Sequence, residues 1–189
     1  MLTPGAGAGR DHPTLVAIDD ALGPEGITVA RIDFPYRLAG RRAPDRAPVL
    51  IAAVVDAANA LADKLDVTTD QLALGGRSMG GRMCSMAVAA GLEAAALVLI
   101  SYPLHPPSRP EKLRTEHFGG ITVPSLFVSG TRDSFATPDE LEAATQGIPG
   151  PVTHVWLEGG DHGLRRKDDT VASVVYDWLT GGVSSAENK

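Results

Sequence analysis

Short runs of β-branched and large apolar residues alternate along this chain with stretches whose apolar positions recur at helical spacing. The runs at 26–34 (GITVARIDF), 71–76, 95–103, 123–133 and 152–162 predict strands. The helical patterns cover 47–65, 78–91, 137–147 and 169–182. The third of these opens on Thr137 as N-cap, with Pro138 in the first helical position and Glu140 three residues after the cap. The strand runs are near-continuously apolar. A sheet with one wet face would alternate; continuity means a parallel sheet covered on both faces. The predicted class is α/β: a doubly wound, mostly parallel sheet with helices on both faces, in a single domain over 1–189. Residues 35–46 and 101–122 break the alternation and are rich in proline and polar residues. Both follow strands. They therefore belong at the carboxyl edge of the sheet, where ligands bind in open α/β folds.

The stretch LALGGRSMGGRMC (72–84) sets one serine, Ser78, among four glycines. Residues 76–80 read Gly-Arg-Ser-Met-Gly, a G-x-S-x-G pattern with an apolar strand before it and a helical pattern after it. That context is what a nucleophile elbow requires: a turn tight enough to strain the serine, with glycines wherever a side chain would clash. Ser78 Oγ is then presented at a helix N-terminus, and the N–H of Met79 faces the place where an oxyanion would develop. A phosphate-binding turn would place Lys-Ser or Lys-Thr after the last glycine, but Arg82-Met83 stands there.

A serine hydroxyl needs a base, and the base needs an orienting acid. Two later strands run out into Gly-Thr-Arg-Asp133 and Glu-Gly-Gly-Asp-His162. The order Ser78, Asp133, His162 is the one this architecture uses. His162 is the candidate general base and Asp133 its partner; Asp161 is the alternative acid, but it adjoins His162 in sequence, which turns its side chain away from the ring. His154 lies inside a strand and reads as structural, and His12 reads as the cap of a helix beginning near Asp11. His105 and His117 fall in the long connection, neither at a strand end after an acid. The glycine-rich turn at 2–13 offers the second oxyanion donor, the N–H of Ala6 or alternatively of Gly7. No His and carboxylate pairing of the H-E-x-x-H kind occurs, so no metal is expected.

Charge narrows the partners. A formal net charge of −6, with only one short basic run (Arg165-Arg166-Lys167, beside Asp168-Asp169), disfavours nucleic acid and anionic membranes. That run reads as a solvated helix start. The one cysteine, Cys84, cannot form an intrachain disulfide and reads as a buried helix residue. No apolar run reaches membrane-spanning length, and the N-terminus lacks a signal-peptide pattern, so the expected location is cytoplasmic. Nothing in the sequence sets an oligomeric state.

Together, GAGAGRDHP, GGRSMGGR, YPLHPP…RPEKLRTEH, LFVSGTRDSF and GGDHGL resemble the α/β-hydrolase superfamily, and within it the small, lid-less, dienelactone-hydrolase-like branch. The resemblance implies a minimal hydrolase sheet and a serine-hydrolase site at Ser78, Asp133 and His162. The expected activity is cleavage of a small-molecule ester, thioester or lactone, with no cofactor. Tyr36, Tyr102 and Leu104 are candidates to line the pocket. Arg77 and Arg82 flank the elbow, either to attract an anionic substrate or to form surface or interdomain salt bridges. The branch also includes scaffold-type animal relatives, so a non-catalytic binding protein is the alternative. There are two departures. Pro4-Gly5 stands where relatives have His-Gly, and only Met-Leu-Thr precedes Pro4 where relatives have a full strand and more upstream. The chain is thus expected to start late, its first strand giving few ladder bonds and leaving neighbouring strand edges unpaired.

Overall fold

The computed structural model describes residues 1–181. Five strands form one parallel sheet in the order β1-β2-β3-β4-β5: Leu2–Thr3, Ala73–Arg77, Ala96–Ile100, Ser125–Gly130 and Val152–Leu157. The principal helices are α1 (Pro13–Leu22), α2 (Pro35–Leu38), α3 (Ala47–Leu65), α4 (Met79–Ala89), α5 (Pro138–Thr145) and α6 (Asp168–Leu179).

Alternate residues of the strands enter two separate cores, as the two-residue side-chain period of a strand requires. Leu74, Leu97, Leu99 and Phe127 face α3 and α4 together with Leu50, Val54 and Met83. Val98, Ile100, Leu126 and Val128 face α1 and α6 together with Leu15, Ile18, Val171 and Val175. A sheet buried on both faces in this way is the doubly wound arrangement that the continuous apolar runs predict.

The expected strand at 26–34 is corrected. It runs extended beside β1 but forms one isolated bridge, Leu2 to Arg31. Leu2 N–H donates to Ala30 O at 2.8 Å, and Ile32 N–H donates to Leu2 O at 3.1 Å. Its neighbour β1 is two residues long, so there is no ladder to extend. The position still matters. β1 lies between this segment and β2, so the chain reverses its direction of travel across the sheet at β1. That is the switch point where α/β sheets open a crevice at their carboxyl edge.

Other boundaries shift by a few residues. α3 spans 47–65 as expected, and α5 carries the full capping box of Thr137 and Glu140. The last residue of the helix expected over 169–182 lies outside the described residues. Among the described residues, no helix is long and apolar enough to cross a membrane.

Candidate active site

The elbow is built by close packing between β1, β2 and α4. A Cβ at Gly76 would run into the carbonyl and hydroxyl of Thr3, and one at Gly80 would stand 2.5 Å from Pro4 O and from Thr3 Oγ1. Only glycine lets these backbones approach. Thr3 adds a hydrogen bond from its hydroxyl to Gly75 O at 2.9 Å. Between the two glycines Ser78 has φ 50° and ψ −117°, a sparsely populated conformation for a residue with a side chain. Holding it costs about 1–3 kcal/mol, and such strain persists only where the surroundings over-determine the backbone. The Ser78 N–H is fixed by Ile100 O at 2.8 Å.

Ser78 Oγ lies 2.9 Å from His162 Nε2, and His162 Nδ1 lies 2.8 Å and 3.0 Å from the two oxygens of Asp133. A carboxylate only accepts, so Nδ1 carries the hydrogen and Nε2 is left to accept the serine proton. Asp133 is buried, and its Oδ1 also takes the Phe135 N–H at 2.8 Å. Asp161, the alternative acid, is not among the partners of the ring.

The turn at Gly5–Ala8 faces this group, with Ala8 N–H on Gly5 O at 3.2 Å. A Cβ at Gly5 would lie 3.6 Å from Ser78 Cβ. Neither Met79 N–H nor Ala6 N–H has a backbone partner outside regular structure among the described residues, and Met79 opens α4, where helical N–H groups have no intrahelical acceptor. Gly7 N–H, the alternative oxyanion donor, is taken by Tyr36 Oη at 3.2 Å.

Three expected pocket residues are corrected. Tyr36, Tyr102 and Leu104 are at most 1% exposed and belong to the core beneath the site, so they offer no surface to a substrate. Tyr36 supports the Gly5–Ala8 turn, and Tyr102 Oη donates to Arg114 O at 2.8 Å, pinning the long connection. Arg77 reaches back to the histidine loop, where Nη2 donates to His162 O at 2.6 Å.

The remaining histidines have local duties. His12 caps α1, accepting from Thr14 N–H at 3.3 Å. His154 Nε2 meets Thr145 Oγ1 at 2.9 Å, and His105 Nε2 meets Glu140 at 3.3 Å. His117 Nε2 meets Ser85 Oγ at 2.8 Å. Burial, then the neighbouring Arg82 cation, pushes its pKa down to about 4. Cys84 is fully buried and burial holds its thiol up at about 11, far from a reactive thiolate.

Sequence reading missed Phe135, whose ring stacks on His162 with centroids 3.9 Å apart and planes 26° apart. Its one signal was position, two residues beyond the acid.

A parallel sheet with helices on both faces and a strained serine at the strand–helix elbow defines the α/β-hydrolase class. The chain belongs to that family: residues 1–177 match the alpha/beta hydrolase domain. It is 36% identical over 62 residues to epoxide hydrolase A of Mycobacterium tuberculosis, a stretch that covers 32% of this chain and 19% of that protein. Among solved structures it is similar to an alpha-beta serine hydrolase homologue from Coxiella burnetii (TM-score 0.77, 16% identity, covering 94% of this chain and 83% of that one). It is also similar to a dienelactone hydrolase from Anabaena variabilis (TM-score 0.73, 19% identity, covering 95% and 84%). At these identities the structural likeness speaks for the fold alone.

Proposed function

We propose that the protein is a serine hydrolase that cleaves a small ester, thioester or lactone through an acyl-enzyme on Ser78. The observation that carries this reading is the unbroken hydrogen-bonded run from Ser78 Oγ through His162 to the buried Asp133. In the first half-reaction Ser78 Oγ attacks the carbonyl carbon as its proton passes to His162 Nε2. Asp133 stabilises the imidazolium. The N–H groups of Met79 and Ala6 receive the developing oxyanion. Collapse breaks the bond to the leaving alkoxide or thiolate, which takes the proton from His162. In the second half-reaction a water gives a proton to His162 and attacks the acyl-serine. The acid departs and Ser78 regains its proton. Every step is balanced by these side chains and water, without a cofactor.

The partial similarity to an epoxide hydrolase does not extend to this chemistry. A serine alkoxide opening an epoxide would leave an ether, which the His162–water step cannot hydrolyse. An acyl-serine ester can turn over.

Labelling with a fluorophosphonate probe, mapped by mass spectrometry, tests the reading. A single adduct on Ser78, absent in Ser78→Ala, is expected. A protein that melts cooperatively yet takes no label would overturn it in favour of a binding role on a hydrolase fold.

A further inference from the structure

We propose that Arg77 is a positioning residue, a clamp that fixes the backbone of His162 against the nucleophile elbow; this deepens the serine-hydrolase reading and rests on it.

Arg77 ends β2, one residue before Ser78. Its Nη2 donates to the carbonyl of His162 at 2.6 Å across 85 positions of sequence. Its Nη1 lies 3.5 Å from where a Cβ on Gly5 would stand, so the guanidinium also packs on the turn that presents Ala6. One side chain thereby touches the loops carrying the base and the second oxyanion donor, and it is anchored next to the nucleophile.

The way its hydrogen bonds are used argues for position over stability. Arg77 is half-buried, and a guanidinium drawn out of water is normally matched to a carboxylate. Among the described residues Arg77 has no carboxylate within ion-pair distance, and its Nε is buried without a partner. Asp133, Asp161 and Asp168 supply only longer-range attraction, and burial lowers its pKa. The short hydrogen bond goes instead to the main chain of the histidine.

The histidine loop needs such a tie. Its other backbone attachments run to the β4 side: Arg132 N–H to Gly160 O at 2.9 Å, and Gly159 N–H to Thr131 Oγ1 at 2.9 Å. These hold the loop near Asp133. On the serine side, Arg77 is the backbone tie among the described residues. Displacements of about 1 Å at a reacting group cost up to ~10²-fold in rate.

The test uses Arg77→Met, Arg77→Lys and Arg77→Ala in the full chain, with melting curves for each and fluorophosphonate labelling rates plus kinetics on one neutral and one negatively charged short ester. For Arg77→Met we expect kcat and the labelling rate to fall roughly 10- to 100-fold. KM for the neutral ester should be unchanged, and both esters should lose equally. Arg77→Lys, which keeps one donor, should recover part of the loss, and guanidinium ion added to Arg77→Ala should restore labelling. A folded Arg77→Met that labels at the wild-type rate would overturn the proposal. So would a loss confined to KM of the charged ester, which would make Arg77 a substrate contact, or a loss that tracks melting temperature and is recovered by neither lysine nor guanidinium. Failure of the wild-type protein itself to label at Ser78 would strike the serine-hydrolase reading, a different result from wild-type labelling that Arg77 variants leave untouched.

Discussion

Ser78, His162 and Asp133 form one hydrogen-bonded unit, and residues that act as a unit do not contribute additively. Ser78→Ala and His162→Ala should each remove nearly all ester hydrolysis, and the double variant should be little worse than either; two small, additive losses would contradict a shared mechanism. Phe135 stacks on the imidazole. Such a pair is worth about 1 kcal/mol, so Phe135→Ala should lower kcat about fivefold with Tm nearly unchanged, measured on a neutral short ester. A rate equal to wild type would make the stack incidental.

The elements show what was legible in the sequence and what was not. Gly76 and Gly80 stood out because glycine is costly wherever backbone approach does not require it, and both meet β1 closely. Gly80→Ala should therefore destabilise the fold by about 1–3 kcal/mol by overpacking, read as a lowered urea midpoint, and should slow labelling of Ser78 as the elbow shifts. Thr137→Ala removes half of a capping box whose hydrogen bonds run to Glu140 and not to the triad. It should cost about 1 kcal/mol and leave kcat alone. The strand runs and α3 were legible because burial on both faces leaves a continuous apolar signature. The segment 26–34 carries the same signature but lacks a partner long enough to make a ladder, and a sequence run does not report its neighbour's length. Tyr36, Tyr102 and Leu104 follow strand runs but point inward, because position along the chain says which end of the sheet a residue reaches and not which side of the loop it faces. Arg77 and Phe135 both reach the histidine loop from elements distant in sequence, a contact that no local pattern encodes.

At the scale of the molecule, the doubly wound sheet gathers the ends of β2, β4 and β5 at one edge, so Ser78, Asp133 and His162 converge although they are far apart in sequence. A half-buried histidine packed on α4 shapes the response to pH. Ser85 gives its single hydroxyl proton to Arg82 O at 2.9 Å, so the neutral His117 ring must donate from Nε2 and leave the buried Nδ1 bare. Burial disfavours the charged ring, the Arg82 cation adds to this, and the folded pKa falls to about 4 from 6.5. A depressed folded value means the contribution is complete above pH 6.5 and drains away as pH falls towards 4. Melting temperature should fall between pH 7 and 5 in the wild type and fall less in His117→Gln; parallel curves would remove this ring from the acid response.

Covalent turnover at Ser78 can be read by intact-protein mass spectrometry after rapid mixing with a short-chain activated ester and an acid quench. A mass gain of one acyl group, mapped to Ser78, is expected to form before the first turnover completes, to decay at the steady-state rate and to be lost in Ser78→Ala. Hydrolysis without such an adduct, or an acyl group carried on any other residue, would contradict it.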